Sequence, residues 1–142
     1  MDFTANVLPA LAAAVVAWMF GAAYYGALAK PWVSAQGMTM EQFKAEQAEK
    51  IGQFAAMLPF ILSFIAEFVM AWVLSGILTH LGRFTVRAGM ISGAFMWFGF
   101  VLTTMAVNTA YTGCKWALTL IDAAHWLGVL LIMGAVLGWL GS

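Results

Sequence analysis

Apolar residues gather into four stretches long enough to cross a membrane, and the polar positions between and within them carry the remaining information. The first stretch runs from Phe3 to about Leu28 and the second from Phe54 to Thr79. The third runs from Ala88 to about Ala110 and the fourth from Trp116 to Leu140. At a rise of about 1.5 Å per residue, each covers a hydrocarbon core of ~30 Å. Between the first two lies Thr39 to Lys50, the one strongly polar segment. Thr39 followed by Gln42 fits a capping box, Glu46 and Lys50 form a favourable i,i+4 pair, and Met40, Phe43, Ile51 and Phe54 mark a rough apolar face. This pattern predicts a short amphipathic helix at the membrane surface with its charges in water.

Pro31 is expected to stop the first helix, with Trp32 anchoring the turn. The first stretch also invites a signal-peptide reading, because Ala27-Leu28-Ala29 mimics a small-residue cleavage site. Asp2 in place of a basic leader, and the length of the apolar run, favour a retained helix. The expected fold is an all-α integral membrane protein: one domain over 1–142, a four-transmembrane-helix bundle with an amphipathic surface helix at 39–50.

Small residues mark where helices approach closely. Ala10, Ala13, Ala17 and Gly21 form a stripe on the first helix, Gly89 and Gly93 open the third, and Gly134 and Gly138 make a small-xxx-small pair on the fourth. In the second, Pro59, Ser63, Glu67, Ala71 and Ser75 recur every four residues, a small or polar stripe expected to face the bundle.

Composition supports lipid as the solvent: 8% of residues are charged, against about 25% in a soluble domain. The net charge is zero and the basic residues are scattered, so no nucleic-acid footprint is present. Cys114, the one cysteine, excludes an intrachain disulfide and a cysteine-only metal site, and reads as a bystander loop thiol. Lys30, Lys44, Lys50 and Lys115 fall on one membrane side and Arg83 and Arg87 on the other, which leans towards the first side being cytoplasmic.

The candidate chemistry lies inside the helices. Asp122 and His125 are three apart and share a helix face within hydrocarbon-rich sequence. Up-down connectivity brings Tyr24, Tyr25, Asn108, Tyr111, Asp122 and His125 towards one end of the bundle, with Glu67 deeper. Together they sketch a polar pocket open to one side. In one reading Glu67, Asp122 and His125 handle protons or a small polar solute, as in a transporter or channel. In a second, the protein is an accessory or scaffold subunit whose polar groups only hold helices together. In a third, Asp122 orients His125 as a general base acting on a lipid or quinone head group, although no nucleophile stands beside the pair. Two ligands without a second histidine nearby fall short of a metal site, no cofactor is called for, and His80 reads as a loop residue. A bundle this small is expected to form a homo-oligomer or join a larger membrane complex.

Gly21-Ala-Ala-Tyr24-Tyr25-Gly26, Lys30-Pro31-Trp32, Gly99-Phe100, Asn108 and Ile121-Asp122-Ala-Ala-His125 together resemble DUF1761, a family of small bacterial membrane proteins. The family usually shows Trp-Tyr-Ser-Pro where this chain has Tyr24-Tyr25-Gly26-Ala27, and Tyr where it has Ala124. The resemblance covers nearly the whole chain. It implies four spanning helices, a mature first helix, a multi-pass place in the bacterial inner membrane, and Asn108, Asp122 and His125 as motif positions. It brings no substrate, reaction or cofactor, and Glu67 rests on its membrane depth alone.

Overall fold

The computed structural model describes residues 6–141, and among them every regular element is helical. The expected start of the first helix at Phe3, and Asp2 before it, lie outside the described residues. In chain order the helices are α1 (Val7–Ala27), α2 (Ala29–Ala35), α3 (Met40–Lys50), α4 (Phe54–Leu81), α5 (Val86–Met96), α6 (Thr103–Thr112) and α7 (Trp116–Leu140). A π-helical segment, Trp97–Leu102, joins α5 to α6, so these three pieces make one span, Val86–Thr112. That span, α1, α4 and α7 are the four helices long and apolar enough to cross a membrane.

Local chemistry sets the boundaries. The first helix ends at Ala27, just before Pro31 as expected, and the proline itself sits in the first turn of a further short helix, α2, where its missing N–H costs nothing. Its ring opposes the carbonyl of Ala27, and the break falls at Leu28, between α1 and α2. At α3 the Thr39 hydroxyl accepts the Gln42 N–H at 3.2 Å and the Gln42 side chain accepts the Thr39 N–H at 2.9 Å. This reciprocal pair satisfies two otherwise orphaned donors. Gly82 and Gly113 close α4 and α6 with φ of 61° and 70°, a left-handed turn that a β-carbon would strain.

The bundle is organised on α7, which packs against α1, α4 and α5. Its Val129, Leu130, Met133 and Leu137 meet Ala10, Ala13 and Ala17 of α1 and Ala71, Leu74 and Leu78 of α4 in one buried core. Large side chains instead point outward, among them Leu8, Phe60, Leu62, Phe95, Phe98 and Phe100. This inversion is stable only where lipid replaces water around the helices.

Backbone approach is closest between α5 and α7. A β-carbon on Gly89 would fall 1.8 Å from the Gly134 carbonyl oxygen, and one on Gly93 would fall 2.4 Å from that of Leu130. Gly138 lies against Thr85 in the same way. The small residues of these helices are therefore used within one chain.

On α4, Glu67, Ala71 and Ser75 of the expected stripe are buried, and Ser63 is half-buried where it accepts the Trp18 indole N–H at 3.2 Å. Pro59 is exposed, together with Phe54, Met57, Leu58 and Phe60. The stripe thus stops facing the bundle above Ser63, because no helix covers the first turns of α4. At the opposite end the Asn6 amide donates to the Thr79 hydroxyl at 3.1 Å, which fixes α1 and α4 as antiparallel.

Candidate functional site

Asp122 stands in the second turn of α7, beside the last turn of α1. One of its oxygens, Oδ1, accepts the Tyr25 hydroxyl at 2.7 Å and the Trp32 indole N–H at 3.1 Å. Trp32 reaches it because the break at Leu28 folds α2 back over Tyr25, with ring centroids 5.4 Å apart. Phe43 of α3 rests edge-on against Trp32 at 5.9 Å, so the surface helix touches the site through one aromatic contact. One residue earlier on each helix, the Tyr24 hydroxyl donates to the Ile121 carbonyl at 2.7 Å.

His125 is 4% exposed and enclosed by rings. Phe20 lies parallel to it at 6.1 Å, Tyr24 and Tyr25 tilt against it at 5.5 and 4.7 Å, and Trp126 meets it edge-on at 4.9 Å. Its Nε2 edge abuts Gly21, where a β-carbon would come within 2.8 Å. The small residue is thus needed to admit the imidazole. His125 Nδ1 is buried without a hydrogen-bond partner.

The i,i+3 spacing predicts a direct Asp122–His125 pair, and the structure has none. The carboxylate is engaged by Tyr25 and Trp32 from α1 and α2, and Tyr25 links the two residues, its hydroxyl on Asp122 and its ring on His125. An aspartate that does not touch the imidazole cannot orient it, which removes the support for a general-base pair.

Glu67 is 2% exposed, and its Oε2 is buried without a partner. The Trp18–Ser63 and Asn6–Thr79 bonds set the register of α4 on α1 and put Glu67 level with Ala14 to Ala17. The Tyr25–Asp122 bond and the Gly21–His125 contact then put those alanines level with positions 129 to 132 of α7. Glu67 therefore lies one to two turns deeper than His125, roughly 6–10 Å along the bundle at about 1.5 Å per residue.

On the other side of Asp122 an open cleft of about 240 Å³ lies between α6 and the first turns of α7. Met105, Asn108 and Thr112 line it from α6, Leu118 and Asp122 from α7, and Cys114 from the connection. A buried hydroxyl pair, Thr109 with Thr119, ties the two walls together. Asn108 is therefore near Asp122 but on the cleft side, apart from the aromatic enclosure. Tyr111 is 90% exposed and joins neither group, because its position on α6 turns it away from α7. Among the described residues no three His, Cys, Asp or Glu side chains converge as metal ligands would.

Several participants were missed from sequence. Trp32 was read only as a turn anchor, and neither Phe20 nor Trp97, whose indole donates to the Ala123 carbonyl at 2.7 Å, was singled out. The signal for Trp32 was its place just after a proline, where a helix break returns the chain over the preceding turn.

Fold and site together define a multi-pass α-helical membrane protein with an aspartate, a histidine and a glutamate inside its bundle. Residues 8–138 match the family model DUF1761, a protein family of unknown function, and the chain belongs to that family. No curated protein and no solved structure matches it.

Proposed function

We propose that the protein handles protons or a small polar solute through the polar groups inside its bundle, as a small transporter or channel does. The observation that carries this reading is the pair of buried, partnerless atoms, His125 Nδ1 and Glu67 Oε2. Polar groups left unpaired in an apolar interior cost stability, on the order of 1–3 kcal/mol each, and are retained where a transient partner uses them. Groups that only hold helices together are satisfied, as Trp18 on Ser63 and Asn6 on Thr79 are. In this reading Asp122 receives the solute or proton at the cleft, His125 stands behind it, and Glu67 is the deeper station. Flux into reconstituted liposomes tests it, with Glu67→Gln and His125→Ala expected to reduce flux while remaining folded. We place the protein in the bacterial inner membrane, with the first and third connections towards the cytoplasm.

A second reading, an accessory subunit or homo-oligomer, is supported by the third span. Only Gly89, Gly93 and Thr109 are buried along Val86–Thr112, so most of that helix is left for lipid or another chain. A fixed stoichiometric partner, or a discrete oligomer in mild detergent, supports it; a monomer without partners counts against it.

A further inference from the structure

We propose that the cleft between α6 and α7 is a binding site for a small organic ammonium ion, with the Asp122 carboxylate as its anchor. This deepens the reading above and rests on it in taking the Asp122 region as the solute entrance. The charge argument comes first. The two donors on Asp122, Tyr25 and Trp32, are neutral and both occupy Oδ1, so the carboxylate is held in place without being neutralised. Among the described residues it is the only ionisable one on the wall besides the Cys114 thiol. An uncompensated carboxylate in a cleft of otherwise neutral groups selects a cation.

The oxygens on the wall then favour an organic cation. A hard metal ion takes six or more oxygen ligands, from protein and water together. Here the Thr109 hydroxyl donates to Met105 and is paired with Thr119, and the Thr112 hydroxyl donates to the Asn108 carbonyl at 2.8 Å. What remains is the Asp122 carboxylate, the Asn108 side-chain amide and lone pairs on Thr112, so a hard metal ion would have to keep most of its own waters here. These three groups match the three N–H donors of a primary ammonium group. Met105 and Leu118 supply apolar wall for an attached carbon chain. A cleft of about 240 Å³, open to one side, has room for a compact amine.

The test is equilibrium binding of n-butylammonium to the full chain in nanodiscs, with n-butanol as the uncharged probe. Asp122→Asn keeps an oxygen for Tyr25 and Trp32 and so preserves the fold. Saturable n-butylammonium binding is expected, weakened at least about tenfold by Asp122→Asn and reduced by Asn108→Leu, with no saturable binding of n-butanol. Absence of saturable binding, equal binding by native protein and Asp122→Asn, or equal binding of n-butanol overturns the proposal. The two readings fail separately. Amine binding without flux of any solute leaves the site standing and removes transport, whereas proton flux without amine binding does the reverse.

Discussion

Tyr25 donates its hydroxyl to Asp122 at 2.7 Å although 97 residues separate them in the chain, and the same ring packs 4.7 Å from His125. That one side chain joins α1 to the start of α7 and stands between the two polar residues of the site. Removing its hydroxyl should therefore be felt chiefly through Asp122. Tyr25→Phe and Trp32→Phe are each expected to cost about 0.6–1.5 kcal/mol, between the range for membrane hydrogen bonds and that for bonds to charged groups. Unfolding by SDS titration measures it. In an Asp122→Asn background the Tyr25→Phe cost should shrink, because the bond it removes is then neutral. Equal costs in both backgrounds would mean that Tyr25 acts through packing alone.

The α5–α7 contact predicts a sharp contrast between glycines. Gly89→Val or Gly134→Leu must force the backbones apart, since a β-carbon at either position lands within 2.1 Å of the facing carbonyl oxygen. A loss of about 1–3 kcal/mol or more is expected in detergent unfolding, the range for overpacking. Gly99→Ala, with nothing within 4 Å of its added carbon, should cost almost nothing.

Gly21 offers a way to disturb His125 without altering its chemistry. Gly21→Ala puts a methyl group 2.8 Å from Nε2 and must displace the ring within its aromatic enclosure. Its imidazole ¹⁵N resonances should shift and flux should fall, while Gly26→Ala, facing open space, leaves both unchanged. Unaltered histidine resonances in Gly21→Ala would contradict the contact.

Much of this arrangement was legible in the sequence because membrane proteins announce it in composition. The four spans follow from unbroken apolar runs and the α3 start from Thr39 and Gln42, whereas Gly89, Gly93, Gly134 and Gly138 marked close approach without saying which helices meet. Asp122 and His125 were visible as residues out of place in hydrocarbon. Their relation was not. Spacing on one helix puts them on a common face but says nothing of competing donors from elsewhere, and Tyr25 and Trp32 claimed the carboxylate. Tyr111 illustrates the same gap, since being near the correct end of a helix does not fix which way a residue points. The π-helical segment at Trp97–Leu102 was also hidden, because it shifts the register of α6 without any proline to mark it.

Cys114 is exposed at the mouth of the cleft and is the chain's sole cysteine, so it reports orientation without any engineered label. With Lys30, Lys44, Lys50 and Lys115 on its side, that face is expected to be cytoplasmic. A membrane-impermeant maleimide should then leave Cys114 unlabelled in intact spheroplasts and label it in inverted vesicles. Full labelling in intact spheroplasts reverses the orientation.

The account depends most on Glu67 and His125 serving a polar path through the bundle rather than bracing it. Proton flux into liposomes containing the purified protein and an internal pH dye tests this directly. The native chain should acidify the interior faster than empty vesicles, and Glu67→Gln and His125→Ala, checked for equal folding and insertion, should each fall to near the empty-vesicle rate. Native flux no higher than that of empty vesicles, or flux unchanged in both variants, would contradict a proton path through these residues.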